Sequence, residues 1–167
     1  MKWLLIAFLV GAGLVGVMAG IGALLPQDHT VTRTSLFRQR PQVLWDAIAG
    51  PPTWRPEVKS YQPLPSRDGH RTWKEIDSHG NTVTYEAVEE LPPTHLITRI
   101  ADPNLPYGGL WVHEITVVPG GCSLQITEKG EIYNPIYRFV ARFLIGYSST
   151  IDNFLKSLHA KFSEPPN

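Results

Sequence analysis

The chain changes its hydrophobic pattern twice. Trp3 to Leu25 is unbroken apolar sequence, WLLIAFLVGAGLVGVMAGIGALL, with Lys2 before it and Pro26-Gln27-Asp28 after it. As a helix this run is about 34 Å long, enough to cross a hydrocarbon core of about 30 Å. From Pro26 onward the pattern alternates instead. His29–Phe37 (HTVTRTSLF) is rich in β-branched residues and predicts a first strand. Pro41 opens a short helix whose apolar face is Val43, Leu44, Ala47 and Ile48, and Gly50-Pro51-Pro52 ends it. Turn signals then recur at Asp68-Gly69, His79-Gly80-Asn81, Pro92-Pro93, Asp102-Pro103-Asn104 and Pro119-Gly120-Gly121. Between them, side chains with period two line common faces: Val83, Tyr85 and Ala87; Trp111, His113, Ile115 and Val117; Cys122, Leu124, Ile126 and Glu128. Six or seven antiparallel strands with one inward face are expected.

The last stretch returns to a helical period. Asn134 offers an N-cap and Pro135 the first helical position. Ile136, Val140, Phe143, Tyr147, Ile151, Phe154, Leu158 and Phe162 then predict one amphipathic helix over 134–162, about 42 Å long. Gly146, followed by Ser148, Ser149 and Thr150, interrupts it with small residues. Such a waist either permits close helix–sheet packing or leaves room for a ligand. The expected class is α+β: residues 1–27 an apolar anchor, 28–167 one folded domain.

Charge and cysteine content narrow the reading. Fifteen basic and fifteen acidic residues give a formal net charge of zero with no block of like charge, which argues against a nucleic-acid surface. The single cysteine, Cys122, rules out an intramolecular disulfide. A cleaved signal peptide competes with the anchor, since Val17-Met18-Ala19 and Ile21-Gly22-Ala23 are passable cleavage sites. Its apolar region, however, is normally about 7–15 residues, which favours an uncleaved single-pass span over residues 3–25. One Lys precedes the span while Arg33, Arg38 and Arg40 follow it, a count that leans toward a cytoplasmic domain. Ala12, Gly16 and Gly20 recur every four residues, a face along which two copies could approach as a homodimer, although glycine is also common in membrane helices.

Two stretches, PQVLWDAIAGPPTWRPEVKSYQPLP and ITEKGEIYNPIYRFVARFLIGY, resemble the SRPBCC proteins, the START-like superfamily of polyketide cyclase/dehydrase type. The first is similar to that superfamily's P-x-x-V-W-x-x-[I/L]…W-x-P-x-V opening. The resemblance covers about residues 29–162 and looks most like small bacterial members with one N-terminal membrane helix. It implies a helix-grip fold, a curved antiparallel sheet around a long C-terminal helix with a hydrophobic cavity between them. It also implies that the broken segment around Trp54 closes one end of that cavity as a rim or lid. Members of the superfamily include lipid carriers, quinone-binding proteins, cyclases and ring-hydroxylase subunits, so fold alone does not choose an activity.

The chain holds no G-x-S-x-G, H-E-x-x-H, phosphate-cradling glycine loop or C-x-x-C, and its six histidines are scattered. No cofactor and no metal site are expected. Trp54, Trp73, Tyr85, Trp111, His113, Phe143 and Tyr147 are the candidate ligand-binding residues. Glu75, on the face of Trp73, and Glu128, following Leu124 and Ile126, are with His113 the candidate acid–base groups; burial would raise the carboxyl pKa values. Alternatively, both carboxylates are solvated or pair with Arg99 or Arg138. The favoured expectation is a membrane-tethered site for a lipid, isoprenoid, quinone or polyketide-like molecule. A cyclase or dehydratase using that acid–base set, and a membrane-anchored scaffold for another protein, are the alternatives.

Overall fold

The computed structural model describes residues 1–165. Helix α1 spans Lys2–Leu24, and strand β1 (Asp28–Phe37) leads into α2 (Pro41–Ala49). Strands β2 (Val58–Arg67), β3 (His70–Asp77), β4 (Thr82–Leu91), β5 (His95–Ile100), β6 (Tyr107–Val118) and β7 (Gly121–Ile132) follow. All seven form one antiparallel sheet in the order β1-β7-β6-β5-β4-β3-β2. Consecutive β1 and β2 therefore lie on opposite edges, and α2 with the Gly50–Glu57 loop carries the chain between them. Pro41 stands at the start of α2, where its missing N–H costs nothing.

The concave face closes on α4 (Ser149–Lys161), the helix-grip arrangement. Ile151, Phe154, Leu155 and Leu158 of α4 meet Phe37, Leu44, Trp45, Leu124 and Ile126 in one core. Burying each large aliphatic side chain contributes roughly 1.5–3 kcal/mol. Ser35 and His159 sit inside this core and bond each other at 2.7 Å. The β7 alternation holds along its length: Cys122, Leu124 and Ile126 are completely buried and Glu128 continues the same face. In β6 the alternation holds to Ile115, but Val117 runs past the core and is exposed.

The C-terminal helix is not one unbroken element over 134–162. Asn134 caps α3 (Pro135–Val140), its side chain accepting from the Ile136 and Tyr137 N–H groups at 2.9 and 3.3 Å. A π-helical turn, Ala141–Ile145, follows, and Gly146 then takes φ +88°, a conformation open to glycine and costly for other residues. Two helices with different partners thus replace one. Helix α4 grips the sheet, whereas α3 packs against the end of α1.

That second contact is close. A methyl group on Gly22 would overlap the Pro135 carbonyl, and Arg138 Nη1 donates to the Leu25 carbonyl at 2.8 Å. The Ile132 N–H donates to the Gln27 carbonyl at 2.9 Å, and Asp28 already pairs with Glu131 in the sheet. Only three residues separate α1 from β1. Apart from this terminus, α1 exposes its apolar side chains almost throughout, and it is long and apolar enough to cross a membrane.

Candidate functional site

One end of the space between sheet and α4 is filled by the core; the other is a cavity of about 610 Å³. Phe154 of α4 divides the two. Its ring meets Trp54 edge-on at 5.3 Å and Trp111 at 5.5 Å, and His113 lies 6.0 Å away. Trp54 follows the Gly50-Pro51-Pro52 break. Its indole N–H donates to the Ala47 carbonyl at 3.0 Å, so α2's last turn satisfies the polar atom and pins the ring at the cavity wall. Trp73 and Tyr85, paired across β3 and β4, stack at 5.6 Å and continue the wall.

Polar groups enter this apolar space at two places. Toward the β2–β3 edge, Glu75 is fully engaged. Its Oε1 accepts from Trp73 Nε1 at 3.0 Å and its Oε2 from Arg55 Nη1 at 3.0 Å, while Arg55 Nε reaches Glu57 at 2.8 Å. Burial works to lower the Arg55 pKa, but Glu75 and then Glu57 outweigh it and the net shift is upward. Burial, reinforced by Glu75, pushes the Tyr85 phenol well up, so it remains a neutral hydroxyl.

Toward the β1–β7 edge, His29 Nε2 lies 3.4 Å from Glu128 Oε1, a long contact. The His29 ring stacks on Tyr147 at 4.4 Å with only 16° between planes. Gly130, opposite His29 in the sheet, makes the seat possible, because a Cβ there would stand 2.3 Å from His29 Cε1. His29 Nδ1 and Glu128 Oε2 are shielded from solvent and have no hydrogen-bond partner. Burial raises the Glu128 carboxyl, and the neighbouring His29, then the Trp111 side chain, only partly counter it.

His113 is wholly enclosed. Burial drives its pKa down to about 4, against the Leu96 carbonyl 3.4 Å from Nδ1, so the imidazole is neutral at ordinary pH.

The structure therefore brings Trp54, Trp73, Tyr85, Trp111, His113, Tyr147, Glu75 and Glu128 to one cavity. Phe143 does not join them. It is 56% exposed and meets Phe139 at 5.0 Å, because the π-helical turn rotates it off the face that a continuous helix would present. The carboxylates also pair otherwise than with Arg99 or Arg138. Arg99 holds Glu86 on the opposite face of the sheet, and Arg138 donates to the Leu25 and Tyr133 carbonyls. Sequence reading missed His29, Arg55 and Phe154 as lining residues. Phe154 was legible in the helical period, and Arg55 in its place beside Trp54. Among the described residues, no group of three metal-ligating side chains occurs.

No family model matches the sequence, and neither does any curated protein. Solved structures do match its shape. A Mesorhizobium loti protein is 15% identical with a TM-score of 0.62, over 81% of this chain and 97% of its own. The di-domain ARO/CYC StfQ from the steffimycin biosynthetic pathway is 13% identical with a TM-score of 0.61, over 80% of this chain and 50% of its own. The di-domain ARO/CYC BexL from the BE-7585A biosynthetic pathway is 14% identical with a TM-score of 0.57, over 86% and 49%. This chain thus spans about half the length of each di-domain protein.

Proposed function

From the helix-grip fold of the SRPBCC/START-like superfamily, which this chain carries, we propose that the protein binds an apolar small molecule in its cavity while α1 tethers it to a membrane. One observation carries this reading: the element beside the cavity is also the element packed against α1. Tyr137, Val140, Ala141 and Ile145 line the cavity, and the same segment abuts Gly22 and Leu25. Tyr133, Tyr137, Phe143, Leu144 and Ile145 are all exposed there, whereas the other exposed large apolar side chains outside α1 are scattered. Contiguous apolar surface beside a spanning helix suits a bilayer interface better than water. A lipid, isoprenoid or quinone could then move between bilayer and cavity along one apolar path. The Lys/Arg count around the span is the reason to put the domain on the cytoplasmic side.

The two polyketide-pathway neighbours raise a cyclase-type reading, but the acid–base set read from sequence fits it poorly. Glu75 is committed to Arg55, and His113 is neutral and enclosed.

Native mass spectrometry of the full chain in lipid nanodiscs tests the proposal. After incubation with membrane lipid extract, a reproducible extra mass is expected, lost in Trp111→Asp with the fold retained. A chain that stays ligand-free under those conditions overturns it.

A further inference from the structure

Along α1 only Met18, Ala19 and Gly22 are covered, and they share one face near its end. The apolar run is about 4 Å longer than a hydrocarbon core of about 30 Å, so about 2 Å of it projects on each side. That sets the boundary near Leu24 and leaves Gly22 about 3 Å inside it. Whatever touches Gly22 lies at the same depth, and the chain after β7 does so. Ile132 is bonded to Gln27, past the end of α1, and three residues later Pro135 stands against Gly22. Arg138 then turns its guanidinium back to the Leu25 and Tyr133 carbonyls, at 2.8 and 3.2 Å. By Tyr147 the chain is beside His29, on the domain side of Gln27.

We propose that residues 133–146 dip beside α1 into the bilayer, so that the cavity wall they form faces acyl chains. The inference rests on α1 crossing a membrane and adds the depth of the domain and the partner of that wall. Side-chain chemistry follows the path. Tyr133 and Tyr137 are exposed at the start of the dip, and Phe143, Leu144 and Ile145 at its turn. Tyrosine suits the headgroup level, while an apolar face lies about 5–10 Å into the boundary between headgroups and acyl chains. Arg138 carries a charge that hydrocarbon excludes, and its long side chain reaches back toward the end of the span. Exposed Arg142 has the length to do the same. Tyr137 and Ile145 both line the cavity and are exposed outside it, so cavity and bilayer meet at these two side chains. The path from bilayer to cavity then begins among acyl chains instead of in water.

The test places the fluorophore NBD on single introduced cysteines of the full chain in lipid nanodiscs. Three exposed positions are used: Leu9→Cys on α1, Leu144→Cys in the dip and Val117→Cys at the far end of β6. Cys122 is completely buried and stays unlabelled in the folded protein. Lipids with a doxyl quencher on the acyl chain are expected to quench the label at position 144 several times more strongly than the label at position 117. Strong quenching at position 9 with equally weak quenching at 144 and 117 overturns the dip and leaves the anchor standing. Weak quenching at all three overturns the anchor, and the dip with it. A diazirine on the acyl chain should also crosslink the 139–145 segment of the unlabelled protein. Crosslinks confined to α1 would likewise overturn the dip.

Discussion

Glu75 and Glu128 project into the same cavity from one sheet, and both are largely withdrawn from water. Their surroundings are opposite. Glu75 sits between an indole N–H and a guanidinium at 3.0 Å each; Glu128 has a long contact to the His29 imidazole and a weak one from Trp111, its partner across β6 and β7, and its Oε2 lacks a well-formed hydrogen bond. A buried carboxyl with a partner on each oxygen is part of the scaffold, since the fold supplies what it needs. A buried polar group whose needs the fold meets only in part contributes little to the scaffold or weakens it. Position in the cavity does not separate the two; satisfaction of their hydrogen bonds does.

The largest effect should come from breaking the satisfied side. Glu75→Ala strands Arg55, leaving only the half-exposed Glu57 as its acid partner. Breaking a buried pair by deleting one member typically costs 3–5 kcal/mol, and Glu57 should hold the loss to about 3 kcal/mol. Urea denaturation of the purified protein measures it. A loss under about 1 kcal/mol would mean that Glu75 is not scaffold and that the contrast with Glu128 is false.

Acid should reveal the third titratable group of the cavity. The native pKa of His113 is depressed to about 4 from the usual 6.5, so between those values the unfolded chain binds a proton that the native one does not. Stability contributed by keeping this imidazole neutral is therefore complete above about pH 6.5 and lost as pH falls toward 4, up to about 3 kcal/mol. Glu128 acts with the opposite sign, because a raised carboxyl takes its proton more readily in the native state. Comparing the protein with His113→Phe removes that background. Denaturation midpoints should fall less steeply from pH 7 to 4.5 in the variant, and equal slopes would contradict the buried neutral imidazole.

How much of this was readable beforehand depends on the range of the interaction. The β7 period put Glu128 on the face of Leu124 and Ile126, and the Trp73 spacing did the same for Glu75; both placements are local. Their partners are not. Arg55 reaches Glu75 across 20 positions and His29 reaches Glu128 across 99, through a register between the first and last strands that no single segment encodes. The C-terminal break was hidden for a related reason. Apolar residues on both sides of Gly146 keep a 3.6-residue rhythm, so periodicity runs straight through a glycine whose φ ends the helix. Phe143 was misplaced as a consequence.

A smaller effect belongs to Gly130→Ala. The added methyl would overlap His29 Cε1 and Nε2 and approach Glu128 Oε1 at 3.1 Å. A side-chain ring can swing away, which holds the expected loss of stability to about 1 kcal/mol, in the range of modest overpacking. The ring-proton resonances of His29 should nevertheless move downfield, since the ring leaves its seat on Tyr147. Unchanged His29 resonances would mean that the seat accommodates a methyl group at position 130.

The smallest change in stability is expected from the substitution that looks most drastic chemically. Glu128→Leu replaces a buried carboxyl by an apolar side chain of similar reach beside Trp111 and Tyr147. At the Glu75 position the same replacement would orphan a guanidinium. Here it strands no guanidinium, only weak contacts from His29 and Trp111, and it removes an oxygen with no well-formed hydrogen bond. Replacing unsatisfied polar atoms by apolar ones of similar shape is nearly neutral or stabilising, so urea midpoints should move by less than about 1 kcal/mol in either direction. A loss approaching that of Glu75→Ala would show that the fold depends on the Glu128 carboxyl as it does on Glu75. Unchanged or increased stability would show that hydrogen-bond satisfaction, not position in the cavity, decides which carboxyl the fold depends on.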